Sequence, residues 1–309
     1  MNGVGTLLGQ RIRRDRLQIT MWTIGTALLA AFAYIGVSES YGVAQDRTSL
    51  LAAAIANPVI LLFRGLPSGA DEGAFITFLI LPWLCLLAAF MSTFLAVRHT
   101  RGDEETGRAE LLGATPASRF APLVATVIHG TLSNLLLGVL VTVAFIATGL
   151  EPVGSAIAGG AAGSVGLVFL GVGLVGGQLF RTSRGANSAS VWTLLVLFFV
   201  AGFGNALGTP SDDLQRIDSS WLTWLSPVGW AENTRPFGRT EASRALSTSA
   251  ALTWRLSREA VVGWAVGGLI IGALSTSLAS LVAEIGATNP TVQALLEQIA
   301  GAGNIEQGT

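Results

Sequence analysis

Charged residues fall in clumps along this chain, and the stretches between the clumps are apolar and long. A membrane-spanning helix needs about 20 predominantly apolar residues at a rise of about 1.5 Å each. The pattern supplies such runs at 19–37, 74–97, 120–150, 156–180, 189–207 and 260–283. Hydrocarbon offers no partner to a bare peptide group, so each run is expected to be a helix that satisfies its own backbone. The fold class expected is an all-α polytopic transmembrane helix bundle of about six spans. A further apolar run at 50–63 is shorter and is interrupted by Asn57-Pro58. It is expected to lie at the outer interface or re-enter rather than cross.

Between the runs, the basic residues set an orientation. Arg11, Arg13, Arg14 and Arg16 precede the first; Arg98, Arg101, Arg108 and Arg119 lie between the second and third; Arg181 and Arg184 separate the fourth and fifth. Basic residues concentrate in cytoplasmic loops, so these segments share the cytoplasmic side and the N-terminus is expected there, in a cell membrane. The divisions that follow are 1–18, an amphipathic cytoplasmic elbow; 19–207, a five-span core with a cytoplasmic loop at 98–119; 208–258, an extramembrane or interfacial segment; and 259–309, a last span and tail. Gly159, Gly163, Gly173 and Gly177 recur at spacings that suit close helix crossing. Trp221, Trp224 and Trp230 cluster as aromatic residues do at headgroup depth.

Composition sharpens this. Of 309 residues, 51% are apolar and 12% charged, against about a quarter charged in soluble domains. The 18 basic residues are all Arg. A phosphate-binding P-loop uses a Lys to reach the β/γ-phosphates, so this chain builds none and is expected to bind no cofactor of its own. A net charge of −1 gives no sign of a nucleic-acid partner. Cys85, the lone cysteine, lies in an apolar run and makes no disulfide within the chain. The first run is longer than a signal-peptide core and no small-x-small site follows it, so it reads as a retained span.

A faint internal repeat links the two ends. A shift of 242 positions aligns Arg13 with Arg255, Arg16 with Arg258, Trp22 with Trp264 and Gly25 with Gly267, and Asn-Pro pairs follow at Asn57-Pro58 and Asn289-Pro290. The last run thus reads as the opening of a second half. Five spans would leave 208–258 outside, whereas Arg255 and Arg258 would match cytoplasmic counterparts. The topology of the C-terminal third stays open.

The loop RHTRGDEETGRAELLGATPASRF at 98–120 is rich in helix formers, and Glu104 and Arg108 stand four apart in the favourable order. It suits a short amphipathic helix against the membrane; a solvated connector is the alternative. The pattern Glu-Glu-x-Gly-Arg-x-Glu-Leu-Leu-x-x-x-Pro-x-x-Arg at Glu104–Arg119 resembles the coupling segment of ABC type-2 exporter permeases, above all the polyketide-antibiotic (tetronasin-type) exporters. Leu225-Ser-Pro-Val-Gly-Trp230 followed by Arg235-Pro-Phe-Gly238 carries the same resemblance, as do 251–258 and Asn289-Pro290.

The resemblance implies a permease subunit, not itself an enzyme, that exports a hydrophobic compound using ATP and Mg²⁺ held by a separate ABC ATPase. Glu104, Glu105, Gly107, Arg108 and Glu110 would be the ATPase contact, and Arg11–Arg16 an elbow helix along the inner membrane surface. Pro227, Gly229, Trp230, Arg235, Pro236 and Phe237 are the family-motif positions. A second permease half or a homodimer would complete the pathway. The resemblance also implies two six-span halves, of which this chain carries the first and the opening helix of the second. A helix and loop expected between Gly238 and about Ala242 are missing, which would account for the topology conflict.

Two other readings compete. An ion-coupled secondary transporter usually places ionisable groups inside its spans; here His129 is the lone candidate relay, and a bond to a neighbour is its plainer role. Asn134, Asn205 and Gln178 read as interhelical hydrogen-bond partners or as substrate ligands. A membrane enzyme finds no HExxH or Gly-x-Ser-x-Gly motif, and a metal at His99 would meet repulsion from Arg98 and Arg101. A non-transporting assembly factor is the remaining alternative.

Overall fold

A computed structural model describes residues 2–108, 110 and 120–238. The expected span at 260–283, the repeat partners at 255–290, and Ala109 and 111–119 of the loop lie outside the described residues. Among the described residues, five helices are long and apolar enough to cross a membrane: α1 (Asn2–Ser40), α4 (Glu72–Arg98), α6 (Ala121–Ala147), α7 (Pro152–Leu179) and α8 (Ser183–Ala206). Together they form the expected all-α polytopic bundle. Between α1 and α4 lie α2 (Ala44–Ile55) and α3 (Pro58–Phe63). At 12 residues, α2 rises about 18 Å, too little to cross a core of about 30 Å. Asn57 ends the apolar run by capping α3 through Val59 N–H, and Pro58 takes the first helical position, where its missing donor costs nothing.

The N-terminal segment departs from expectation in one respect. Arg11–Arg16 are not set off as a separate helix, because α1 runs unbroken from Asn2 to Ser40. Arg11 turns inward instead of lying along a surface, as described below.

α4 is the centre of the bundle. In its most apolar stretch 72% of residues are buried, against 17% in α1, and it packs on α1, α6, α7 and α8. α7 closes against both α4 and α6 through its glycines. A Cβ on Gly163 would lie 2.9 Å from the Asn134 carbonyl oxygen, and one on Gly173 would lie 2.8 Å from Ala96 Cβ. Backbone-to-backbone approach of this kind is open only to small residues. In the gap so formed, Asn134 Nδ2 donates to Ser92 Oγ at 2.8 Å and to Gly130 O at 2.9 Å. Asn134 is therefore an interhelical partner. Gln178 is exposed.

Pro82 stands inside α4. Its ring removes the N–H that would bond Phe78 O. Gly65 N–H takes that carbonyl instead, at 2.7 Å, and Arg64 Nη1 donates to Leu79 O at 3.2 Å. A Cβ on Gly65 would meet Phe78 O at 3.0 Å, so the repair needs glycine.

Beyond α8, the strands β1 (Thr209–Pro210) and β2 (Ile217–Asp218) pair antiparallel, and Ile217 N–H donates to Pro67 O. A 3₁₀ turn at Trp221–Leu225 leads into α9 (Pro227–Asn233). Trp221 and Trp224 stay exposed.

Candidate functional site

The helices converge at two ends with different chemistry. At the end where α1 and α6 begin and α4 finishes, a short helix α5 (Arg101–Glu105) opens the sequence-predicted coupling loop. Asp103 and Glu104 lie in its first turn, where the partial positive charge of a helix start favours carboxylates. Gly107 closes it with φ +71, a left-handed conformation that suits glycine, and its N–H donates to Glu104 O.

The five residues expected to face a partner divide into two groups. Glu104 pairs with Arg101 Nη1 at 2.5 Å. Glu105 accepts from Ser183 N–H at 2.7 Å and from the Ser183 hydroxyl, which ties the loop to the start of α8. Both carboxylates are thus engaged within the chain. Arg108 and Glu110 are exposed, and a Cβ on Gly107 would meet nothing within 4 Å. The open face is the one carrying Gly107, Arg108 and Glu110.

The pivot of the loop is Asp103, which the sequence reading passed over. It is buried, 3.0 Å from Arg14 Nη1, 3.6 Å from Arg108 Nη1 and 3.9 Å from Arg11 Nη2. Arg14 and Arg108 meet its Oδ1, while Oδ2, the oxygen facing Arg11, lies 3.7 Å from His99 Nδ1. The opposite nitrogen of the same imidazole, His99 Nε2, bonds Asp15 Oδ2, and His129 Nε2 reaches that oxygen at 3.2 Å. Arg98 Nη1 sits 3.3 Å from Asp15 Oδ1. Arg11 extends the chain to α6 by donating to Pro122 O at 2.6 Å and to the Thr126 hydroxyl. Arg101 Nε reaches the end of α7 at Gly177 O, 3.2 Å away. One ionic network thereby joins α5 to α1, α4 and α6, with flanking bonds to α7 and α8.

Asp15, His99 and His129 bring three metal-competent atoms within 4.8 Å of one another. Arg98 already lies against the Asp15 carboxylate, and Arg11 donates to His99 O at 3.3 Å. Those guanidiniums supply the positive charge a divalent ion would bring, so the donor set fits an ion-pair network better than a metal centre. His129 is hydrogen-bonded to a neighbour, its plainer expected role. One signal in the sequence pointed to this network: Asp15 is a single acid amid four arginines, in RIRRDR.

At the opposite end the second motif forms a wedge. Ser226 caps α9 by accepting from Val228 N–H, with Pro227 at the first helical position. Gly229 lets α9 lie against the backbone of Thr223, and Trp230 Nε1 donates to Trp224 O at 2.5 Å. Arg235, at φ +45, holds Ile217 O at 2.8 Å and Asp218 at 3.0 Å. Pro236 and Phe237 are then driven between α4 and α7. A Cβ on Gly73 would lie 2.6 Å from the Phe237 ring, and one on Gly154 would lie 2.8 Å from Pro236 O. Phe145 of α6 meets the Phe237 ring edge-on at 6.5 Å. This end also holds Glu232, buried on α9, which accepts from Asn205 Nδ2 of α8 at 2.6 Å.

Comparison with known proteins finds likenesses at both the family and the whole-chain level. Residues 246–309 match the family described as "Multidrug efflux system permease Rv1217c, C-terminal domain". The chain is 27% identical over 342 aligned positions to the "Multidrug efflux system permease protein Rv1217c" of Mycobacterium tuberculosis (strain ATCC 25618 / H37Rv). The match takes in 97% of this chain and 60% of the relative, so the chain spans about three-fifths of the relative's length. This polytopic helical membrane protein is similar, along nearly all of its length, to a permease of a multidrug efflux system.

Proposed function

We propose that this chain is the membrane-spanning permease subunit of an ABC exporter, which moves a hydrophobic compound out of the cell with ATP hydrolysed by a separate subunit. The observation that carries the reading is the loop at 101–110. It leaves Gly107, Arg108 and Glu110 open to a partner while its base is riveted through Asp103 to α1 and α4. A push on the exposed face reaches α1 and α4 through charged groups packed at 3.0–3.9 Å. Glu104 and Glu105 serve the same contact from within by holding the loop in shape. The end carrying Arg11 and Arg98 faces the cytoplasm in this reading, and the wedge at Pro227–Phe237 faces outside. The relative's printed role in multidrug efflux favours a lipophilic drug as cargo, a polyketide antibiotic among them.

The test is co-purification, in detergent, with candidate ABC ATPases from the same source co-expressed with this chain. Wild type should retain the ATPase and Arg108→Glu should release it. An ATPase that stays bound after the reversal, or that never binds wild type, overturns the reading. The ion-coupled alternative draws on Asp15, His99 and His129. It predicts efflux that follows a proton gradient and persists without the ATPase.

A further inference from the structure

Five arginines at the Arg11–His99 end are engaged within the chain: Arg11, Arg14 and Arg108 face Asp103, Arg98 faces Asp15 and Arg101 holds Glu104. Arg13 and Arg16 differ. Both are exposed on α1, and among the described residues neither makes a hydrogen bond or an ion pair. They stand one turn apart, a spacing that brings side chains to neighbouring positions about 5–6 Å apart at Cβ. Gly9, one turn before Arg13, leaves open space beside them.

Burial divides α1 lengthwise. Arg11, Asp15, Ile19, Thr26 and Ala30 are buried, at four- and seven-residue steps that keep to one face. Arg13, Leu17, Ile24, Leu28 and Ile35 repeat such steps on the opposite face and are exposed. Because α1 runs unbroken through Arg16 into Leu17, the two unpaired cations sit at the foot of an uncovered apolar stripe. From Leu17 to Leu28 the stripe rises about 16 Å, the depth of one leaflet in a core about 30 Å thick.

We propose that this face of α1 binds an anionic phospholipid of the cytoplasmic leaflet, its phosphodiester held between Arg13 and Arg16 and an acyl chain laid along Leu17, Ile24 and Leu28. Two guanidiniums with no acid of their own match a phosphate, whose oxygens accept the paired N–H donors of the arginine fork. A zwitterionic lipid brings its own ammonium to the arginines and gains less. A second copy of the chain is a poorer occupant. Copies in one membrane point the same way, so packing stripe on stripe would set Arg13 and Arg16 level with their own counterparts and bring like charges together. The inference goes beyond the export reading and shares with it only the side of the membrane on which these arginines lie.

The experiment uses the full chain in a neutral detergent, with dioleoylphosphatidylglycerol and dioleoylphosphatidylcholine as probes, and native mass spectrometry to read the lipid retained. Wild type should hold the phosphatidylglycerol roughly 25-fold more tightly, a charge near such a lipid being worth about fivefold. Arg13→Gln and Arg16→Gln should each cut that preference about fivefold and together abolish it. High salt should erase it in wild type without any substitution. Arg181→Gln with Arg184→Gln removes two cations that are likewise unpaired among the described residues, at the start of α8, and should leave the preference intact. Equal retention of the two lipids by wild type, or an equal loss in the Arg181 and Arg184 variant, overturns the proposal. Glycerol phosphate, which has the anion and no chains, should not displace the lipid; if it does, the site is one for a free anion and the lipid assignment falls. So does it fall if Ile24→Cys cross-links readily between copies, since a second chain then covers the stripe. Because no ATPase enters the measurement, its failure leaves the exporter reading standing, and failed co-purification leaves this surface standing.

Discussion

The two ends of the bundle handle buried charge in opposite ways. At the Arg11–His99 end, Asp15 and Asp103 are each shared among several cations and imidazoles drawn from α1, α4, α5 and α6. At the Glu232 end, one carboxyl meets one amide. Removing a partner from a compensated buried network leaves its counter-charges stranded, whereas an uncompensated acid avoids the cost by staying protonated. The first arrangement is stiff and transmits displacement. The second holds a proton. The difference marks one end as a charge-paired junction and the other as a place where an acid stays neutral.

The comparison breaks most severely at Asp15. Asp15→Ala leaves Arg98, His99 and His129 without their shared acceptor and should destabilise the chain by roughly 3–5 kcal/mol. Thermal unfolding in detergent will read this as a large fall in Tm, and an unchanged Tm would mean the network is not compensated as drawn. Next comes the wedge. Gly154→Ala drives a methyl into Phe237 and Pro236 and should cost about 1–3 kcal/mol by overpacking. Phe237→Leu in the same chain should recover part of that loss, which a double-mutant cycle would measure.

The Glu232 end should show itself in pH. The folded-state carboxyl lies at about 8 and its ordinary value is 4.5, so between those values the folded chain holds a proton that the unfolded chain has released. Stability should therefore be full below about 4.5, decline as pH rises toward about 8 and flatten beyond. Glu232→Gln should remove that decline from a Tm-versus-pH series; a decline that persists belongs to another group. The smallest effect on stability belongs to Arg108→Glu. Half-exposed and 3.6 Å from Asp103, Arg108 should contribute no more than about 1 kcal/mol. Its reversal should leave Tm nearly unchanged while ATPase retention falls.

The hydropathy pattern located α4, α6 and α7 to within about four residues, because a bilayer demands long apolar runs, whereas α8 starts six residues earlier and α1 17 residues earlier than the apolar runs alone would place them. At α8, Thr182 caps Gly185 N–H and extends the helix through polar residues. The pattern also separated α2 and α3 from the true spans, since Asn57-Pro58 is a legible break. The loop at 98–119 was legible as a place, but its inner and outer faces were not. A five-residue helix has no periodicity to read, and Asp103, the buried member, looks the same as Glu104 and Glu105 in sequence. Asp15, His99 and His129 come from three helices, and no local signal states that they meet. Glu232 was invisible for the same reason, since α9 has seven residues and lies in a segment that reads as polar.

The proline in α4 carries a mechanical consequence. Phe78 O is bonded by Gly65, a residue on the connection leading out of α3, so the helix at the centre of the bundle is stitched there to a strand of chain outside it. Straightening or swivelling α4 at Pro82 must draw on that stitch. Segment 64–68 also carries Ser68, close to Glu232, and Pro67, whose carbonyl holds Ile217. Any flexing of the central helix is therefore felt as a tug on the residues packed around Glu232 and Ile217, which gives the far end of the bundle a tether to motion at its middle.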